Sequence, residues 1–418
     1  MVASALSKFS AKTVLIVGDC LLDRYIIGSS QRISPEAPVP IVLEEKRFSR
    51  IGGACNAAAN ILALGGIPRL VGRVGDDIAG KELLSLLQTE SIDTSGVVIQ
   101  RGLVTPSKTR VVSQSQQLLR VDGEKNIPLS FECEKEILDR LPELFKGVSC
   151  VAISDYAKGT LSDGLLRAII EYARSKKIPS VADPKGTDFS KYAGTTVLKP
   201  NALETIRASK QETVEEAAKE ILEEIACSVL MVTRSDKGIS LFYPGGKESH
   251  FPVQPKEVRD VTGAGDTVLA LISTALASGI PIEEAAPLAN VAAACAIERL
   301  GCAVISLQDI ASHLLQHSPY GKVCTKERFN QLLPALKEDP LLFVHMPSYT
   351  SISSDHLLCL AQHVQDHPDR KVIACFDETV ADSPFLDLIG SMQSLHLVVH
   401  GTKDLSLEAL KDRLTIEL

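Results

Sequence analysis

Apolar residues along this chain come in short runs. Val14 to Val17, Cys150 to Ser154, Ser180 to Asp183, Thr195 to Leu198 and Val229 to Thr233 read as buried strands. Between them lie helical stretches of small residues. Ala57 to Leu64 is closed by Gly65-Gly66, and Thr267 to Ser278 is stopped by Gly279 and Pro281. Residues 97 to 122 alternate like strands, with a polar turn from Ser113 to Gln116, which predicts a hairpin. The segment Arg32 to Val42 carries Pro35, Pro38 and Pro40. That excludes a helix or a central strand and leaves an extended edge segment or a lid. After a linker at His317-Ser318-Pro319-Tyr320-Gly321, strand-like runs return at Leu341 to His345, Lys371 to Phe376 and Leu395 to Val399. Strands alternating with helices predict an α/β fold. The expected organisation is a main domain over 1–316, a linker over 317–322 and a smaller α/β domain over 323–418.

Composition narrows the function. At 418 residues the chain is long enough for two domains, with 45% apolar and 23% charged residues, ordinary for a soluble protein. A net charge of −8 argues against nucleic acid or an anionic membrane as partner. The ten cysteines form no Cys-x-x-Cys pair, which indicates buried thiols in a reducing compartment, the cytoplasm. The run Val14 to Val17 is too short for a signal or a membrane span. Of nine histidines, only His250 precedes residue 313. A His triad or His metal site is thereby excluded from the first three hundred residues, whereas a carboxylate mechanism is not. His363 and His367 lie four apart, but a His-Pro-Asp sequence follows, so they read as a solvated helix end rather than a metal site.

The most informative stretch is Asp260-Val261-Thr262-Gly263-Ala264-Gly265-Asp266, placed where a loop enters a helix. Two glycines let backbone N–H groups converge, and a helix start adds free donors and partial positive charge. Gly263, Ala264 and Gly265 thus form a candidate anion hole, with the Asp266 carboxylate beside it. That pairing suits deprotonation of a hydroxyl attacking a phosphoryl group.

Other candidates are less distinctive. Asp19 and Asp23 follow the first strand, where α/β sheets bind ligands; they fit either sugar binding or a solvated turn. Lys108 and Arg110 share one strand face and Arg120 and Asp122 another, which fits a sugar-phosphate clamp or a solvated hairpin. Lys158 and Lys185 sit on the ligand edge of the sheet. Asn201 and Glu204 share a face at a helix start, which by itself fits a cap. There is no Gly-x-x-x-x-Gly-Lys-Ser/Thr loop and no Gly-x-Gly-x-x-Gly fingerprint, which disfavours a P-loop NTPase or a dinucleotide enzyme.

The Thr262-Gly263-Ala264-Gly265-Asp266 string resembles the signature of the ribokinase-like (PfkB) carbohydrate kinases, and Gly52-Gly53-Ala54-Cys55-Asn56 resembles their other signature. The resemblance covers about the first 310 residues. It implies a three-layer ribokinase-like domain with a small β lid, and an ATP-dependent kinase with Asp266 as base. It also implies sugar contacts from Gly52, Gly53 and Asn56. Asn201 and Glu204 would order Mg²⁺ and phosphate through water. Thr233, Arg234, Gly238 and Asn290 would line the ATP site, and a monovalent cation such as K⁺ would lie near Asp260. A lid-mediated homodimer is likewise implied.

Ser34-Pro35-Glu36-Ala37-Pro38-Val39-Pro40 is similar to the heptose-7-phosphate kinase branch. So are Lys108-Thr109-Arg110 with Gln116 to Arg120, Ser154-Asp155-Tyr156-Ala157-Lys158-Gly159, and Asp183-Pro184-Lys185. The acceptor implied is the anomeric hydroxyl of D-glycero-β-D-manno-heptose 7-phosphate, toward ADP-heptose and lipopolysaccharide core. Another sugar or sugar phosphate, or a non-catalytic sugar-phosphate sensor, are the alternatives. In bifunctional relatives a Rossmann-like nucleotidyltransferase with a His-x-Gly-His motif follows the kinase. The stretch Phe343 to His356 keeps at most His356 of that motif, and the chain ends soon after the third strand. The second domain is therefore expected to be a degenerate, shortened relative without transferase activity.

Overall fold

The structure is a computed structural model, and it describes residues 5–114, 116–253, 258–299, 301–316, 323–336, 339–346, 354–377, 395–403, 405 and 413–417. It divides into two compact units, Phe9–Ile305 and Met1–Lys8 with Ser306–Leu418. The helix Leu307–Gln316, assigned to the first domain on sequence, falls in the second unit. The expected linker at 317–322 lies outside the described residues.

The larger unit is built on a nine-stranded sheet. Its parallel part contains β11 (Val229–Thr233), β10 (Val197–Leu198), β9 (Ser180–Asp183), β8 (Val148–Ser154), β1 (Thr13–Gly18), β4 (Ile67–Gly75) and β5 (Asp93–Gln100), in that spatial order. Beyond β11, the antiparallel strands β12 (Ile239–Phe242) and β13 (Glu248–Phe251) complete one edge. The central strands are apolar on both faces, as expected of strands covered by helices on each side. On one face, Leu15, Val17 and Val151 pack with Leu165, Ile169, Ala218 and Ile221 from the helices Asp163–Ser175 and Val214–Ile225. The helices Ala54–Ala63, Ala264–Ala277 and Ile282–Ile297 are rich in buried alanine, which lets them lie close together.

A separate four-stranded sheet forms the lid, in the order β3 (Pro40–Gly53), β2 (Cys20–Ile33), β6 (Ser107–Ser113), β7 (Gln116–Gly123). The hairpin expected around Ser113–Gln116 is β6 and β7. Pro40 opens β3, an edge strand, where its missing N–H breaks no central ladder. The sequence did not reveal β2. The chain leaves β1 at Gly18 and re-enters a strand at Cys20, so Asp23 sits inside a strand and not in a loop.

The second unit holds a five-stranded parallel sheet. Its order is β14 (Val323–Thr325), β17 (Leu397–His400), β16 (Lys371–Phe376), β15 (Leu341–His345), β18 (Arg413–Glu417). Two of the three expected strands fall where the hydrophobic runs put them, and the third begins two residues later, at Leu397. β14 and β18 were not foreseen, being short or polar. Among the described residues no helix is long and apolar enough to cross a membrane.

One close approach fixes how β1 meets β8. A Cβ on Gly18 would lie 2.1 Å from the Ser154 carbonyl oxygen, which cannot yield without loosening the pairing. Gly18→Ala is expected to destabilise the first unit by roughly 1–3 kcal/mol. The readout is a lower urea midpoint at unchanged slope; an unmoved midpoint refutes the constraint.

Candidate active site

Asp266 occupies the first turn of the helix Ala264–Ala277, whose N-cap, Gly263, adopts φ 82°. No side chain caps this helix start. The first N–H groups of a helix lack intrahelical partners; Ala264 N–H makes only a long bond to the Val261 carbonyl, at 3.4 Å, so this helix start suits an anion. A Cβ on Gly263 would come within 3.0 Å of the Asn56 amide nitrogen. One on Gly265 would point toward Asp183 and Lys199, at 3.6 and 3.9 Å. Gly265 therefore places the helix start beside those two side chains, at ordinary contact distance.

The Asp266 carboxylate is 2% exposed and held from both sides. Asn56 donates to Oδ2 at 2.9 Å, and the Tyr156 hydroxyl donates to Oδ1 at 2.7 Å. Burial pushes its carboxyl up to about 7, and the charge of Asp183 adds to this. The Asn56 and Tyr156 hydrogen bonds and Lys199 oppose it. Lys199, buried at the end of β10, lies 2.9 Å from Asp183 at the end of β9. Burial also raises the Asp183 carboxyl, against the pull of Lys199.

The lid contributes a second cluster. Asp23 and Arg110 form a buried ion pair, and the Cys302 thiol donates to Asp23 at 3.2 Å. A Cβ on Gly52 would strike the Asp23 carboxylate at 2.2 Å, and one on Gly53, at φ +59°, would meet Leu21. Arg110 faces Arg120 across the β6–β7 pair. Yet Arg120 is taken by Asp122 on its own strand, and Arg110 by Asp23. Lys108 lies over the Tyr156 ring, 5.2 Å from its centre. A cavity of about 500 Å³ reaches Asn56 and is also lined by Arg50, Ile51, Arg299, Cys302 and Ala303.

Several expected ligand-binding residues have partners within the protein. Asp19 is buried and accepts the backbone N–H groups of Tyr156, Lys158 and Thr160. It anchors that loop, with both carboxylate oxygens engaged by backbone donors. Asp155 accepts from Ala157 N–H, Lys191 and Tyr192. Lys158 pairs with Glu124. Asn201 and Glu204 form a reciprocal capping box, and Glu204 also pairs with Lys185 at 2.6 Å. Arg234 is held by Glu215. Thr233 ends β11 beside Asn201. Gly238, at φ 82°, and Asn290 converge on the Phe251 carbonyl, to which Asn290 donates at 2.8 Å.

Tyr156, Asp183 and Lys199 belong to the site, although sequence reasoning did not single them out. Each lies at or just beyond the carboxyl end of a parallel strand, the one signal that could have found them.

Glu204 and Asn201 offer oxygen atoms, the donor type Mg²⁺ prefers. Both Glu204 oxygens already accept a hydrogen bond, from Asn201 N–H and from Lys185. This set fits a hydrated Mg²⁺ brought by a nucleotide, not direct ligation. Among the described residues there is no cluster of three His, Cys, Asp or Glu that could hold a metal on its own.

Comparisons with known proteins identify the family and the fold. Residues 11–309 match the family described as pfkB family carbohydrate kinase. The Bifunctional protein HldE of Trichlorobacter lovleyi is 39% identical over 80% of this chain and 70% of its own length. That of Geobacter sulfurreducens is 41% identical over 76% and 66%, and that of Actinobacillus succinogenes 38% identical over 90% and 79%. The chain thus spans part of the length of each. Among solved structures, Escherichia coli phosphofructokinase-2 in complex with potassium superimposes with a TM-score of 0.60 at 20% identity, over 72% of this chain and 97% of that one. Arabidopsis thaliana ribokinase complexed with ribose and ATP gives 0.58 at 20% identity, over 73% and 99%. These two establish the ribokinase-like fold.

Two predictions follow from the geometry. The folded pKa of Asp266, about 7, lies above its ordinary 3.8. Stability from this group is therefore complete below pH 3.8 and is lost as pH rises to about 7, on the order of a few kcal/mol. Asp266→Asn should raise the thermal midpoint at pH 8, with the gain shrinking toward pH 5. A midpoint at pH 8 that stays level or drops would rule out a buried ionised carboxylate. Gly52→Ala should displace Asp23 and raise the KM for the acceptor at least tenfold while leaving that for the nucleotide unchanged; equal effects on both would contradict the placement.

Proposed function

The chain belongs to the pfkB family of carbohydrate kinases, and from that premise we propose that it transfers the γ-phosphoryl group of ATP to the anomeric hydroxyl of D-glycero-β-D-manno-heptose 7-phosphate. An ATP-dependent sugar kinase is what the family establishes; the acceptor and the roles below are our reading. The observation that carries it is Asp266, a carboxylate poised near neutrality beside an uncapped helix start.

Asp266 accepts the proton of the anomeric hydroxyl. That oxygen bonds to the γ-phosphorus as the bond to the β–γ bridging oxygen breaks, and the electron pair leaves with ADP. N–H groups at Gly263 to Gly265 and the Lys199 ammonium stabilise the charge on the moving group. Mg²⁺, held through water near Asn201 and Glu204, supplies further charge neutralisation when bound. The Asp23–Arg110 pair orients sugar hydroxyls with Asn56 and the backbone at Gly52 and Gly53. Lys108 reaches the remote phosphate, with Arg120 at the rim. Thr233, Gly238 and Asn290 border the nucleotide, with Arg234 held back by Glu215.

The heptose assignment is supported by the motifs shared with that branch and by relatives near 40% identity. A monovalent cation near Asp260 belongs to the same proposal. Burial raises that carboxyl, but hydrogen bonds from Thr262 and Gly301 outweigh it and keep the group ionised. A homodimer is supported by apolar lid residues left exposed, among them Ile33, Val39, Leu43, Leu119 and Val121. The second unit is proposed as a degenerate nucleotidyltransferase-like domain, and Pro347 to Ser353 of its altered motif lie outside the described residues. The setting proposed is the cytoplasm.

The test is coupled ADP release with ATP and Mg²⁺ against heptose 7-phosphate, sedoheptulose 7-phosphate, fructose 6-phosphate and ribose. Turnover on heptose 7-phosphate, rising through pH 7 as Asp266 ionises and lost at least a thousandfold in Asp266→Asn, is the expected result. Turnover on another acceptor alone would retain the mechanism and sink the heptose assignment; no turnover on any acceptor would favour a sensor.

A further inference from the structure

The segment Asp155–Thr160 is held more firmly than a connecting loop requires. Asp19 accepts three of its N–H groups. Arg73, 1% exposed, donates to the carbonyls of Lys158, at 2.8 Å, and Ile127. Asp155 is fixed by Lys191 and Tyr192, each at 2.6 Å. Ala157 sits at φ 54°, a conformation non-glycine residues adopt only where neighbours enforce it. These restraints aim one side chain, Tyr156, at Asp266. Lys108 covers the outer face of its ring.

We infer that Tyr156 is a positioning residue for phosphoryl transfer: its hydroxyl holds the Asp266 carboxylate in the charged, oriented form that takes the acceptor's proton. The inference rests on Asp266 being the base. A carboxylate offers about four lone-pair positions. Asn56 takes one on Oδ2 and Tyr156 one on Oδ1, which fixes the carboxylate plane and leaves positions for the acceptor hydroxyl. Burial, with the neighbouring Asp266 charge, holds the Tyr156 phenol far above its ordinary range, so it stays a donor.

The other ionisable neighbours come from each packed element. Asp183 and Lys199 face Asp266 from the ends of β9 and β10 with opposite effects. Cys55, on the helix Ala54–Ala63, and Cys302, after the helix Ile282–Ile297, are pushed up and stay neutral. Among these groups, Tyr156 and Asn56 alone favour the charged form by direct hydrogen bonding.

Tyr156→Phe keeps the ring and removes the hydroxyl. In the full chain, two readouts apply: the pH dependence of kcat with ATP, Mg²⁺ and heptose 7-phosphate, and the ¹³C titration of the Asp266 carboxyl without substrates, assigned by its absence in Asp266→Asn. Losing a donor to the charged form raises the pKa, so both midpoints should move up by about one pH unit, and kcat at pH 6.5 should fall about tenfold and largely recover by pH 9. If the variant is inactive at every pH, the carboxyl titration decides. An unmoved titration, with Asp266→Asn inactive, overturns the inference alone and leaves the base in place. Activity retained in Asp266→Asn overturns the base reading and this inference with it.

Discussion

Two neutral donors hold one carboxylate in a site almost closed to water, and much of the first unit serves to keep them there. Burying an ionised carboxylate costs several kcal/mol; each hydrogen bond to the charge returns roughly 1.5–3 kcal/mol. Asp266 therefore balances near neutrality only while both Asn56 and Tyr156 are in place. Asn56 is itself fixed by Asn60, whose amide donates to the Asn56 carbonyl and to the Ala303 carbonyl. The Asn60 carbonyl oxygen accepts from Ile305 N–H and the Thr267 hydroxyl. One buried amide thus ties two helices and the 303–305 segment into a single frame. The alanines of these helices are small enough to permit that approach.

In the lid, charge is set by pairing more than by composition. The hairpin carries three cations on adjacent strands, but a tertiary contact commits one of them and a same-strand pair another. Arg110 faces Asp23 in a buried pair, and removing one partner of such a pair costs about 3–5 kcal/mol. Gly52 is the residue that gives the Asp23 carboxylate its room. Arg120 folds back on Asp122 in a more exposed setting, where the pair contributes little. Lys108, over an aromatic ring that touches the Asp266 carboxylate, connects the lid to that residue.

The second unit uses the same doubly wound logic at smaller scale. The order is β14-β17-β16-β15-β18: the strands run outward from β15 through β16 and β17 on one side, with β14 beyond β17, and β18 lies on the other side of β15. Crevices where strand order reverses are where ligands bind in open α/β sheets. The backbones of His345 and Glu417 are register partners in β15 and β18.

The sequence by itself determined the α/β class, the lid hairpin, the glycine-rich helix entry and the identity of Asp266 as the carboxylate beside it. Those features are local: a run of apolar residues, a period of two, a turn that only glycine admits. Apolar runs along the chain also placed two strands of the second unit at their observed bounds. Tertiary structure decided which of the candidate polar residues are engaged by partners within the fold. Asp19 and Asp155 read like ligand carboxylates because they end strands, yet backbone amides and neighbouring side chains claim them. Asn201 and Glu204 read like a metal pair and also close a capping box. Tyr156, Asp183 and Lys199 reach the site through contacts between residues far apart in sequence, and no local pattern encodes a hydrogen bond across 110 residues.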